Sequence, residues 1–294
     1  MAEVLGSRET TSEEVLRARI VEVGRRLYVR GFVAANDGNV SVRLGEDRLL
    51  TTPKGVSKGF MTPDMMVVTD LAGSKLAGGR DPSTEVLMHA AVYAERPEIK
   101  AVVHAHPPTA TGFAVAGIAL DRAVLAEVVT TLGSIPIAEY GTPSTQELAD
   151  AVRRHIKVHD GLLLANHGAL TAGRDLLEAH YKMETIEHFA RISFVARLLG
   201  REHLLSRDEV LRLQDLRDTY GIASPAAICL DGTGDDGQVA GDPSCQVLQT
   251  PPAPPGERLV PDPTGGRAVG EDREIRLTYR ELTALIEDAV RHLR

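Results

Sequence analysis

Tryptophan is absent from this 294-residue chain, and aromatic residues make up only 4% of it. The formal charge is -8 and no basic stripe stands out. Few stacking rings and no cationic surface exclude the usual means of holding nucleic acid. Cysteine is almost missing: Cys229 and Cys245 both come late, between Gly- and Asp-rich flanks, with no CxxC pair. A disulfide scaffold is excluded, and the cytoplasm is the default compartment. No apolar run is long enough to span a bilayer. The opening MAEVLGSRETTSEEVLRARI is acidic, with no long apolar segment, and does not read as a signal peptide.

What is present is enough apolar material for a core, 43% of residues, and two alternating periodicities. A helix starting near Ser12 puts Leu16, Ile20, Val23 and Leu27 on one face, with Ser12 as its cap. NVSVR alternates, turns at Gly45 to Asp47 and returns as RLLTT, which predicts a hairpin. MMVVTD and a short piece around Lys75 and Leu76 are further strands. In GRDPSTEVLMHAAVYAERP, Leu87, Ala90, Ala91 and Ala94 follow a helical period, so Glu85 falls in the first turn. IKAVVHAH is a strand, TATGFAVAG a short helix, and SIPIAEY extended. Ser144 and Glu147 predict a capping box for LADAVRRHI. GLLLANHG is a strand ending at Asn166. DLLE opens a long helix, and a last one covers about Asp208 to Tyr220. Strands alternate with helices but begin as hairpins. The expected fold class is therefore α/β, with a central, largely antiparallel or mixed sheet flanked by helices.

The chemistry centres on VVHAHPP. On a strand, His104 and His106 share one face and can aim at one ion. They can equally be two ordinary histidines at a strand end. His167, in LLLANHG, also follows a buried-looking strand and is the best third ligand. His155 and His159 flank a helix end, and His180 and His188 sit in a charged helix. His89, four residues after Glu85, reads as a packed residue or a support for the site. Ser83 and Thr84 offer hydroxyls at a helix start, where free N–H groups attract anions such as phosphate. GNVS and TTPKG add glycine loops with polar donors. Each is also an ordinary cap or turn when taken alone.

Together, GNVSVR (38–43), TTPKG (51–55), GGRDPSTEVLMHAAVYAERPEIKAVVHAH (78–106) and NHGALTAG (166–173) resemble the class II aldolase/adducin family over roughly residues 12 to 220. The resemblance is strongest to its fuculose phosphate aldolase branch. It implies a Zn2+ ion, or another divalent transition metal, held by His104, His106 and His167. It implies Glu85 as the catalytic carboxylate, able to approach the metal when substrate is absent. Phosphate contacts carry over to Asn39, Ser83 and Thr84, with Gly38, Thr52 and Gly55 shaping the pocket. The implied reaction is reversible aldol cleavage of a ketose 1-phosphate, of the L-fuculose 1-phosphate kind, to dihydroxyacetone phosphate and an aldehyde such as lactaldehyde. Glutamate at 85 matches the aldolases, where the related epimerases carry aspartate. The alternatives are a 3-oxo-tetronate 4-phosphate decarboxylase, another sugar-phosphate lyase or epimerase, or a non-catalytic adducin-like protein, whose relatives often lack the metal set. The aldolases use a tyrosine from a neighbouring subunit on the C4 hydroxyl. No tyrosine lies between Tyr93 and Tyr140. Leu125 falls at that place, and Glu127 is the stand-in. The family also implies a homotetramer with active sites between subunits.

The expected organisation is a catalytic domain over residues 1–221, a Gly/Pro-rich linker over 222–269 and an amphipathic helix over 270–294. Leu282, Leu285, Ile286, Ala289 and Leu293 form the stripe of that last helix. Such a helix needs a partner. Either it packs on the tetramer, or it resembles the encapsulation peptides that take cargo to the shell proteins of a bacterial microcompartment.

Overall fold

The computed structural model describes residues 12–219. The linker and helix expected beyond residue 221 lie outside the described residues. One compact unit takes in residues 12–195 and 202–219, while 196–201 belong to a second unit.

Helix α1 (Glu13–Val29) begins where expected, its first turn capped by Ser12 Oγ, which accepts from Val15 N at 3.4 Å. Strands β1 (Asn39–Leu44) and β2 (Arg48–Thr51) form the predicted hairpin, and β3 (Val67–Asp70) and β4 (Lys75–Ala77) extend it outward. Then follow α2 (Val86–Glu95), β5 (Ala101–Ala105), α3 (Pro108–Ala116), α4 (Ala126–Thr131), β6 (Ile137–Ala138), α5 (Gln146–Ile156), β7 (Gly161–Leu164), β8 (Gly168–Gly173), α6 (Leu176–Leu198) and α7 (Arg207–Thr219). The sheet runs β4-β3-β2-β1-β5-β8-β7-β6. Every pairing is antiparallel except β6 with β7. The fold is thus α/β with a mixed sheet, as expected.

Alternation along the strands divides the core in two. Val40, Val42, Ala101, Val103 and Ala169 pack with α1, α3 and α6 on one face. Val102, Leu170 and Ala172 pack with α2 and α5 on the other. By the same alternation Asn39, Ser41 and His104 point toward α2. The register sets Asn39 directly opposite His104. At the far end of the sheet, buried Asp160 accepts from Arg96 Nη1 at 2.5 Å and Lys182 Nζ at 2.6 Å, fastening α2 and α6 to the start of β7.

Two elements were not expected, and one expectation changes. GALTAG, to which no element was assigned because glycine and alanine favour neither period, is β8, buried along its whole length between β5 and β7. Its small residues suit the close approach of α6: a Cβ on Gly173 would lie 2.5 Å from Ala179 N. Helix α4 was also unforeseen; its β-branched AEVVTT carries little helical signal. The capping box at Ser144 and Glu147 does not form. Thr145 is the N-cap residue, Glu147 Oε2 accepts instead from Thr142 N at 3.1 Å, and Ser144 adopts φ 68° with its hydroxyl turned to Thr84. A box needs its first residue extended, and Ser144 is left-handed.

Candidate metal centre and substrate site

The site is built at one end of the sheet, where β1 begins, β5 ends and β7 turns into β8. His104 is the fourth residue of β5 and fully buried. His106 lies just past the strand, its N–H held by Phe32 O at 2.9 Å. His167 sits in the three-residue connection from β7 to β8, after Asn166 at φ 56°. The three imidazoles meet edge to face, with ring centroids 4.7 to 5.1 Å apart. One ligand atom from each falls within 4.8 Å of the other two.

The hydrogen bonds around the rings orient them. His104 Nδ1 donates to Ala169 O at 2.9 Å, leaving the Nε2 lone pair free. His106 Nδ1 faces Asp37 Oδ2 at 3.4 Å, and its Nε2 lies 3.2 Å from His104 Nε2. With its Nδ1 proton committed to Ala169 O, His104 turns its Nε2 lone pair toward His106 Nε2, where a cation can take it. His167 Nδ1 is buried without a hydrogen-bond partner. This donor set fits a divalent transition metal.

Glu85 stands against the cluster. Its Oε1 is 3.2 Å from His167 Nε2, its Oε2 3.5 Å from His104 Nε2, and Asn39 Nδ2 donates to Oε2 at 2.7 Å. Glu85 is the N-cap residue of α2 rather than a member of its first turn. Burial pushes His104 down to about 3, against the pull of Glu85. Burial also opposes ionisation of Glu85, but His104, His167 and the Asn39 amide outweigh it and hold the carboxyl well below the usual carboxylate range. The result is an ionised carboxylate beside a neutral imidazole, the state in which a metal can be bound. His89, one turn further along α2, is buried and pushed down to about 4 by that burial. Its Nδ1 pairs with Ser41 Oγ at 2.7 Å. Through Ser41 it ties α2 to β1 behind Glu85.

The polar residues expected around a phosphate gather here too. Ser83 Oγ accepts from Glu85 N at 3.3 Å, and Thr84 Oγ1 accepts from Ser144 Oγ at 2.7 Å. Thr52 Oγ1 accepts from Val40 N at 3.2 Å, and Thr52 O from Ser83 N at 3.1 Å, which ties the 51–55 loop to the start of α2. Gly38 has φ 69°, and a Cβ there would stand 2.8 Å from His104 O, so only glycine fits. Gly55, at φ 70°, has open space where its Cβ would be.

The comparisons agree with this geometry. The class II aldolase and adducin N-terminal domain matches residues 18–194. The chain belongs to the class II aldolase and adducin family. Among relatives of this class II aldolase family chain, a 3-oxo-tetronate 4-phosphate decarboxylase from Haemophilus influenzae is 34% identical over 179 residues, covering 60% of this chain and 85% of the relative. An L-fuculose phosphate aldolase from Methanococcus maripaludis is 34% identical over 178 residues, covering 60% and 94%. The solved structure of an L-fuculose 1-phosphate aldolase superposes with a TM-score of 0.66 at 29% identity, covering 72% of this chain and all of that one. The family is one of sugar-phosphate enzymes, and this member carries a candidate metal-binding triad.

Of the residues singled out in the sequence, His104, His106, His167, Glu85 and Asn39 converge, with Thr52, Ser83 and Thr84 alongside. Glu127 does not join them within the chain: it is exposed on the first turn of α4. Sequence reasoning missed Asp37, Ser144 and Lys58. Asp37, in AANDGN, carried no signal of its own. Ser144 was assigned to a cap, and Lys58 lay in what read as a plain loop. Among the described residues no helix is long and apolar enough to cross a membrane.

Proposed function

We propose that the chain is a divalent-metal-dependent lyase, with Zn2+ as the metal, that reversibly cleaves a ketose 1-phosphate of the L-fuculose 1-phosphate kind to dihydroxyacetone phosphate and an aldehyde such as lactaldehyde. The observation that carries this reading is the Glu85 carboxylate held against three converging histidines. A bound cation would act there as a Lewis acid, polarising the substrate carbonyl and offsetting the negative charge that develops on its oxygen. Asn39, Ser83 and Thr84 would hold the phosphate, with Gly38, Thr52 and Gly55 giving the loops their shape. Glu85, ionised in the resting site, takes the proton from the carbon beside the carbonyl in condensation and returns it in cleavage. Asn39 keeps that carboxylate aimed through its amide.

A second reading, decarboxylation of a 3-oxo-tetronate 4-phosphate, is favoured by one specific observation. Aldol cleavage requires a group to take the C4 hydroxyl proton, and the chain has no tyrosine between Tyr93 and Tyr140. Loss of carbon dioxide has no such requirement. In the aldolase reading Glu127 of a neighbouring subunit fills that role, within a homotetramer whose active sites lie between subunits. The C-terminal helix would then pack on that tetramer or dock on a microcompartment shell.

Product analysis of the metal-loaded protein is the test. Triose phosphate with an aldehyde supports the first reading and carbon dioxide the second. Neither product from either substrate would reject both.

A further inference from the structure

Lys58 opens the 3-10 turn Lys58–Phe60 and is only 1% exposed. The turn sits close against α1, where a Cβ on Gly24 would come within 2.9 Å of Lys58 O. From there the side chain reaches between two loops. Its Nζ donates to Asn36 O at 3.0 Å and to Val56 O at 2.7 Å. Asn36 lies in the turn that leads into Gly38 and Asn39, and Val56 directly follows Gly55. These two loops carry four of the residues assigned above to the phosphate end of the substrate. Asp37 and Glu85 are the anionic groups whose charge reaches the ammonium, and it makes no ion pair among the described residues.

A buried ammonium held by carbonyls alone is costly, and an apolar side chain would fill the same space without that cost. We infer that Lys58 is a positioning residue for the phosphate end of the substrate. Its two hydrogen bonds clamp the turn before Asn39 to the loop after Gly55, and its charge lies behind both. The inference rests on the reading of this end of the site as a phosphate seat. An arriving phosphate adds negative charge to a region already holding Asp37 and Glu85, and Lys58 offsets part of that repulsion.

The test is calorimetric titration of the full, metal-loaded chain with inorganic phosphate, comparing wild type with Lys58→Met, Lys58→Gln and Lys58→Arg. Lys58→Met is expected to raise the phosphate Kd by at least about tenfold, the loss expected for a charge-assisted contact. Lys58→Arg, which keeps charge and donors, should stay within about threefold of wild type, with Lys58→Gln between them. Metal content should be the same in all four. With the sugar phosphate, KM should rise in Lys58→Met while kcat changes little, a split that general loosening of the fold would not produce. A folded Lys58→Met whose phosphate Kd lies within about twofold of wild type overturns the inference, as does a wild type that binds no phosphate. Should Lys58→Met not fold, Lys58→Gln decides on the same criterion. Phosphate binding lost in the variant, together with no turnover by wild type, would reject the proposed reaction but uphold Lys58.

Discussion

A Cβ placed on Gly168 would stand 2.6 Å from Cδ2 of His106 and 2.6 Å from Ala105 O. The glycine of NHG is therefore a condition for the three rings to meet, because any side chain there displaces His106 or the end of β5. His104 is touched as well, at 3.3 Å from the same point.

Gly168→Ala should accordingly lose metal before it loses fold. Overpacking of this kind costs about 1–3 kcal/mol, which a thermal melt will register. Metal content after dialysis is the sharper measurement. A variant that retains full occupancy would show that the rings need no such clearance.

Asp37 faces Nδ1 of His106 and orients that ring. Removing the orienting carboxylate commonly weakens a metal site by roughly 10- to 100-fold. Asp37→Ala should shift a chelator-competition titration by that order while leaving the circular dichroism spectrum unchanged. Equal affinity in the two proteins would assign Asp37 to the turn alone.

Glu85→Gln keeps an oxygen for the Asn39 amide but removes the charge and the proton acceptor. Turnover should fall by about 10²- to 10⁴-fold, the usual contribution of a positioned acid or base, with metal still bound. Undiminished turnover in the metal-loaded variant would falsify the role given to this carboxylate.

Burial lowers Lys58 from 10.5 to about 8, against the opposing charges of Asp37 and Glu85. Between those two values the unfolded chain binds more protons at this site than the folded one, so stability rises with pH across that window. The penalty is fully present below about pH 8 and amounts to roughly 3 kcal/mol at most. Urea unfolding at pH 7.5 and 9.5 (values chosen to fall within about a unit of pH 8.5) should show wild type gaining stability relative to Lys58→Met. The comparison stays below pH 10, the ordinary value for tyrosine. Above it the buried Tyr93 phenol, whose pKa burial raises, reverses the trend. No difference in slope between the two proteins would place the Lys58 ammonium in water rather than in the fold.

Much of this was legible in the order of residues. Ser12 before an amphipathic run marked the start of α1, and NVSVR with RLLTT marked the first hairpin. His104 and His106 at strand spacing, with His167 before a glycine, marked three ligands whose types suit a metal. Local periodicity and turn chemistry act between near neighbours, so they can be read without knowing what packs where. β8 could not be read that way. GALTAG has almost no strand propensity of its own and is a strand because β5 and β7 lie on either side of it. Ser144 likewise has the composition of a cap but the conformation of a turn, because its hydroxyl meets Thr84, sixty residues earlier in the chain.

The sequence by itself determined which chemical groups this protein has and which of them share a strand face, since alternation is a property of each strand alone. Only the tertiary structure decided that they meet. Pairing of β1 with β5 set Asn39 opposite His104. Pairing of β5 with β8 carried His167 to the same sheet end. The start of α2 then delivered Glu85 to within 3.2 Å of it. Register is a long-range quantity, fixed by burial on both faces of the sheet, and one residue of slip would turn Asn39 and His104 away from each other and from Glu85.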